Sequence, residues 1–230
     1  MMQWEKLLSS DRFDSSKKEN ASAESFRSEF EIDYDRIIFS APFRNLQDKT
    51  QVFPLPENDF VHTRLTHSLE VSSVGRSLGK SAGEYLINKY PNLAEKGIHS
   101  SDFGAIVAAA ALAHDIGNPP FGHAGEEAIS DFFKHHPYGF IWRTHVKPHE
   151  WDDLTNFEGN AQGFRMLVSK DNGLKLSYAT LAAFTKYPRP SHIFKRDHNR
   201  RSQKKFGFFT DQQKDYAQLA SELGLTKINA

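Results

Sequence analysis

The chain contains no cysteine, which excludes disulfides, zinc–thiolate sites and iron–sulfur clusters and fits a reducing compartment. It carries no net charge either: 29 Lys and Arg balance 29 Asp and Glu. No global basic field draws it to polyanions, and only local patches can do so. Long apolar runs are missing. The most apolar stretch, Phe103 to Ala113, is far too short to span a bilayer. The first residues, MMQWEKLLSSDRFD, lack the cationic start and long apolar block of a signal peptide. A soluble, cytoplasmic chain with no membrane partner is the expectation. Strand-like alternation persists nowhere and no internal repeat occurs, so the chain reads as all-α. At 230 residues it is long enough for one substantial core and need not be two domains.

Its organisation follows from breakers and caps. Residues 9–30, rich in Ser, Lys, Glu and Asn, read as a mobile stretch within a flexible N-terminal arm of residues 1–30. A core of residues 31–190 follows, with a first helix from Asp33 or Tyr34. Two prolines within residues 50–60 make that stretch extended or looped. Thr63 or Thr66 can cap the next helix, along which His67, Val71, Val74 and Leu78 share a face expected to point inward. Asp102 can cap a third helix that presents Val107, Ala110, Ala111 and His114 together, and its many alanines allow close packing. Gly117-Asn118-Pro119-Pro120 stops it. Further helices are expected at about Gly122–His135, 157–170 and 174–186, with a polar, aromatic connection over 137–156. From residue 191 the chain reads as a basic loop and the start of a C-terminal part, with helix-like residues Asp211–Leu223.

Eleven histidines are present, and most read as surface or loop residues: His62, His99, His135, His136, His192 and His198. His145 and His149 are spaced like a helical metal pair, but Pro148 between them spoils the regular helix that this spacing needs. The pair His114-Asp115 is different. It closes an apolar helix inside AALAHDIGNPPFGHAGEEAI (residues 110–129), with His67 upstream in HTRLTHSLEV (residues 62–71). Imidazole nitrogen and carboxylate oxygen are both ligands for first-row divalent metals. His123 and Glu126, three apart at the start of a helix, share a face.

HTRLTHS, AHDIGNPPFGHAGEEAI, FEGNAQGFRML and LAAFTKYPRP, in that order, resemble the HD-domain dGTP triphosphohydrolases. The resemblance covers roughly residues 34–190. It implies an all-α HD-domain helical bundle around a single divalent metal ion, with His67, His114 and Asp115 among the ligands. The donor set suits Mn2+, Mg2+, Co2+, Fe2+ or Ni2+ without naming one. His123 and Glu126 match the family's catalytic pair, His123 handling protons near the α-phosphate while Glu126 orients it. Substrate contacts are implied at Gln51 and Val52 on the deoxyribose, at Arg64 on a phosphate, and at Asn160, Lys186 and Tyr187.

The implied reaction is hydrolysis of dGTP, and of other dNTPs, to deoxynucleoside and inorganic triphosphate. The implied assembly is a homo-oligomer, a hexamer in the family. Two alternatives stand beside it: an HD nucleotidase releasing single phosphates, and a catalytically incomplete nucleotide- or single-stranded-DNA-binding module. The second draws on KRDHNRRSQKK (residues 195–205), six Lys or Arg against one Asp, which otherwise reads as a solvated loop or a grip on an allosteric nucleotide. The resemblance also implies a fourth metal ligand, an aspartate on an apolar helix after the Lys-Tyr-Pro region. Asp211 and Asp215 lie in Gln- and Lys-rich surroundings that do not match it. The chain therefore reads as the N-terminal portion of a longer enzyme.

Overall fold

The computed structural model describes residues 2–15, 26–50, 61–192 and 199–225. Among these the regular structure is helical, and strand-like pairing is limited to two isolated bridges, Arg12 with Ser177 and Pro190 with Phe208. Eight helices exceed a single turn: α1 (Glu29–Ile38), α2 (Arg64–Lys89), α3 (Ser100–Ala113), α4 (His123–His135), α5 (Pro148–Thr155), α6 (Gly159–Val168), α7 (Tyr178–Phe184) and α8 (Gln213–Glu222). None of the described helices is long and apolar enough to cross a membrane.

Helix α3 is the hub. Its run of Phe103, Ile106, Ala108, Ala109, Ala110, Leu112 and Ala113 is buried, and α1, α2 and α7 pack around it. The core continues through Ile37, Phe43, Leu46, Ile116, Phe164, Leu176, Leu181 and Leu219. Each large apolar side chain buried in this way contributes roughly 1.5–3 kcal/mol.

Helix α2 packs on α3 through small residues. Its buried positions are Arg64, Ser68, Ser72, Gly75, Gly79 and Gly83. A Cβ on Gly79 would stand 2.7 Å from the Phe103 carbonyl oxygen, and one on Gly83 would stand 2.7 Å from the Phe103 ring. Ser72 Oγ donates to the Ala108 carbonyl at 2.8 Å. The expected inward stripe is therefore corrected: Val74 and Leu78 are 61% and 65% exposed. A Ser/Gly seam has little hydropathy, yet it lets two backbones approach far closer than a Val/Leu seam allows.

Two caps also differ from expectation. Helix α1 starts at Glu29 rather than Asp33, because Ser28 and Glu31 form a reciprocal capping box. Asp33 is instead fully buried, accepting from the Ser177 backbone N–H at 3.0 Å, from Ser177 Oγ at 2.6 Å and from Arg12 Nη1 at 2.8 Å. Asp102 lies in the first turn of α3, where it accepts from the N–H of the cap residue His99 at 2.8 Å. Thr63 caps α2 as expected, its hydroxyl accepting from the Thr66 N–H at 3.2 Å.

Of the expected N-terminal arm, residues 16–25 lie outside the described residues. On the near side of that stretch Phe13 is buried in the core and Arg12 is ion-paired with Glu29 and Asp33. The 137–156 connection is largely helical, with single turns at Pro137–Phe140 and Ile141–Thr144 before α5. Beyond Tyr187 the expected exposed loop is anchored at both ends. Gly207 N–H donates to the Arg189 carbonyl at 3.0 Å, and Phe206, Phe208 and Phe209 are buried.

Candidate metal centre and catalytic pair

Three elements meet at the site: the first turn of α2, the turn after α3 and the first turn of α4. One ligand atom from each of His67, His114 and Asp115 lies within 4.8 Å of the others. The two imidazoles meet edge to face, with ring centroids 5.2 Å apart. His114 Nδ1 is 2.7 Å from the Ala111 carbonyl oxygen. That oxygen can only accept, so Nδ1 donates to it, and Nε2, 3.3 Å from Asp115 Oδ1, is the ring nitrogen on the side of the other donors.

Asp115 is buried and fixed on both oxygens. Arg64 Nη1 donates to Oδ2 at 2.8 Å, and Asn118 Nδ2 donates to Oδ1 at 2.6 Å. Two imidazoles and one oriented carboxylate fit a divalent metal ion. The Nε of Arg64 and the Oγ of Ser68 are buried without a hydrogen-bond partner among the described residues. Lys49 approaches the same turn, donating to the Ile116 carbonyl at 3.1 Å. Burial, with the Arg64 charge adding to it, lowers the Lys49 pKa against the opposing pull of Asp115.

The turn into α4 has an unusual backbone. Phe121 and Gly122 have φ of 63° and 58°, and Gly122 has ψ of −122°, a combination that L side chains rarely adopt. A Cβ on Gly122 would also sit 2.9 Å from Arg64 Nη2. This sharp reversal delivers His123 to the surface, its side chain 81% exposed, beside Glu126 at 10%. His123 Nδ1 lies 3.1 Å from Glu126 Oε2.

Glu126 is held from behind. Its Oε1 accepts from the Gly159 backbone N–H at 2.7 Å, which explains the glycine of FEGN: a Cβ there would stand 2.1 Å from Asn118 Oδ1 and 2.8 Å from Glu126 Oε1. Gly117 packs into the same helix start, where its Cβ would be 2.1 Å from the Gly163 nitrogen. The glycines thus let the turn after α3 settle directly on α6.

Two residues that sequence reasoning did not single out complete the arrangement. Glu158 is buried and its Oε1 accepts from Lys205 Nζ at 2.9 Å, while Lys205 also reaches Glu126 Oε2 at 3.4 Å. Burial raises the Glu158 pKa, with the neighbouring Glu126 charge in the same direction. Burial disfavours the Lys205 ammonium, but its hydrogen bond and charge interaction with Glu158, and the charge of Glu126, together raise its pKa.

The remaining expected residues are placed as follows. Asn160 lies in the first turn of α6 and its Nδ2 donates to Glu158 Oε1 at 2.7 Å. Arg64 is 5% exposed and paired with Asp115 rather than presented openly at the surface. Lys186 and Tyr187 sit just after α7, with Lys186 Nζ 5.6 Å from the Tyr187 ring centroid and Tyr187 buried. Gln51 and Val52 lie outside the described residues. Pro148 starts α5, so His145 precedes that helix and His149 is on it, and the two do not share a helical face.

Residues 64–155 match the HD domain. Over these residues the chain is similar to the HD domain. Across 97% of its length it is 47% identical to a deoxyguanosinetriphosphate triphosphohydrolase-like protein of Synechocystis, covering 52% of that protein. It is 49% identical over 81% of its length to a Pseudomonas aeruginosa protein of the same description, 42% of which is covered. A Listeria monocytogenes protein so described is 41% identical over 90% of the chain, with 46% of its own length covered. The chain thus spans about half the length of the curated relatives it matches.

Proposed function

We propose that this chain carries the reaction centre of a metal-dependent hydrolase that converts dGTP, and other deoxynucleoside triphosphates, to deoxynucleoside and inorganic triphosphate. The observation that carries this reading is the exposed His123–Glu126 pair set beside the His67, His114 and Asp115 cluster, in a chain similar over most of its length to proteins described as dGTP triphosphohydrolase-like.

His67, His114 and Asp115 hold the divalent ion, and Mn2+, Mg2+, Co2+, Fe2+ and Ni2+ all suit these donors. When bound, such an ion supplies Lewis acidity and positive charge to the phosphoryl oxygens of the substrate. Arg64 holds Asp115 in place and adds positive charge behind it. His123 keeps Nδ1 protonated toward Glu126, so Nε2 faces solvent and the substrate. A water attacks the α-phosphorus in line with O5′. The new P–O bond forms as the P–O5′ bond breaks; Nε2 of protonated His123 gives its proton to the departing 5′-oxygen, the attacking water loses a proton to solvent, and His123 takes one back from solvent. Glu126, gripped by the Gly159 N–H, orients the ring and stabilises its cation. Asn160, Lys186 and Tyr187, with Gln51 and Val52, are assigned to substrate contact.

The same reading carries a homo-oligomer, a hexamer by resemblance, acting in the cytoplasm. The basic run 195–205 is an allosteric-nucleotide or single-stranded-DNA surface in this scheme, and binding that falls steeply with salt is its signature.

Paired substitutions test the roles. His123→Ala abolishes turnover and leaves metal content unchanged, whereas Asp115→Ala loses both, with metal read by elemental analysis after dialysis. Undiminished turnover in His123→Ala removes the proposed proton carrier.

A further inference from the structure

The HD site leaves Lys205 unassigned, although it is the one member of the basic run drawn inward onto the catalytic pair among the described residues. Its Nζ stands 2.9 Å from Glu158 Oε1 and 3.4 Å from Glu126 Oε2, with its side chain only 23% exposed. The segment bearing it is latched at both ends. Ser191 Oγ donates to Asp153, Thr210 N–H donates to the other oxygen of Asp153 at 2.9 Å, and Arg189 Nη1 donates to the Gln203 carbonyl at 2.9 Å. A lysine held this way is placed by the fold rather than merely solvated.

Among the described residues, helix α4 supplies His123 and Glu126 to this point, the start of α6 supplies Glu158, and the returning segment supplies Lys205. Two buried carboxylates on one cation cannot both stay ionised once the cation is removed, because burial and mutual repulsion then favour uptake of a proton. A protonated Glu126 loses its grip on His123 Nδ1, since the carboxylate stabilises the imidazolium only as an anion.

We propose that Lys205 is a positioning residue for the His123–Glu126 pair: its ammonium bridges Glu126 and Glu158, keeps both carboxylates ionised and so fixes the charge and orientation of His123. The reaction it supports is the one set out above, but the bridging itself is independent of that reading. It also explains why Glu158 is buried at the cap of α6 and why Asn160 donates to it. Part of a stretch that sequence reads as a solvated basic loop thereby becomes the far wall of the site.

The test is a carbon-13 NMR titration of the glutamate carboxylates in the full 230-residue chain, comparing the wild type with Lys205→Met and Lys205→Arg. In Lys205→Met one carboxylate of the pair titrates about one to two units higher, and Lys205→Arg keeps the wild-type values. Unchanged carboxylates in a folded Lys205→Met protein overturn the proposal. Should that variant fail to fold, Glu158→Gln asks the same question: Lys205 then serves Glu126 alone and its titration moves down, and no movement is equally fatal.

Kinetics supply a second arm. With dGTP, Lys205→Met lowers kcat about tenfold or more at little change in KM, its acid limb moves upward, and Lys205→Arg recovers much of the loss. A defect confined to KM places the ammonium on the substrate instead and contradicts a positioning role. If the wild type forms no tripolyphosphate, the functional reading fails while the titration still decides the role of Lys205.

Discussion

At the scale of single residues, the site depends on what stands behind each chemical group. Asp115 has both oxygens occupied by Arg64 and Asn118, and Glu126 has one oxygen on the Gly159 N–H. Gly159 is the tightest of these points. Gly159→Ala places a methyl group against Asn118 Oδ1 and Glu126 Oε1, and is expected to cost about 1–3 kcal/mol and to detach Glu126 from α6. Thermal unfolding and the His123 imidazole titration check this together. Unaltered stability and titration contradict the packing described.

The His67, His114 and Asp115 cluster was legible in the sequence, through residue types that suit a metal and through the family resemblance. Glu158 and Lys205 were not. Their meaning comes from a chain reversal that brings residues 47 positions apart to 2.9 Å, and local pattern contains no trace of it. Gln51 and Val52 are assigned by resemblance alone.

At the scale of helices, one face of α2 separates two ideas of packing. Hydropathy selects Val74 and Leu78, whereas the helix buries Ser72, Gly75, Gly79 and Gly83. Periodicity correctly gave a helix there, and Thr63 gave its start, but a scale that rewards large apolar side chains passes over a seam whose value is closeness. Gly79→Ala is therefore expected to destabilise by about 1–3 kcal/mol, since its Cβ meets backbone at 2.7 Å. Val74→Ser and Leu78→Ser, at exposed positions, should stay within about 0.5 kcal/mol. Denaturant melts of the three variants decide. The reverse order contradicts the α2–α3 interface. Because His67 rides on α2 and His114 closes α3, that interface also sets the distance between the two imidazoles.

Across the whole molecule, charge links the returning C-terminal segment to the site. The pKa of Lys205 is raised above its ordinary 10.5 in the folded chain. A raised lysine contributes stability that is fully present below the unfolded value and is lost as pH climbs through the folded one. The stability difference between wild type and Lys205→Met is thus expected to be constant at neutral pH and to shrink only above about 10.5. Thermal melts of both proteins across pH 8 to 12 read that difference directly, and a difference that vanishes already near neutrality contradicts the bridge. The all-helical class was readable from sequence, because caps, breakers and apolar runs act locally, while the HD bundle was implied by resemblance alone. The anchored return of residues 199–210, driven by three buried phenylalanines, was hidden behind their basic neighbours.

The proposal that this chain builds a centre releasing the intact triphosphate from a deoxynucleotide is decided by resolving the products formed from dGTP with Mn2+. Deoxyguanosine and tripolyphosphate in equal amounts, with no dGDP or dGMP accumulating, are the predicted result. Stepwise appearance of dGDP, dGMP and orthophosphate would contradict it and point to a nucleotidase.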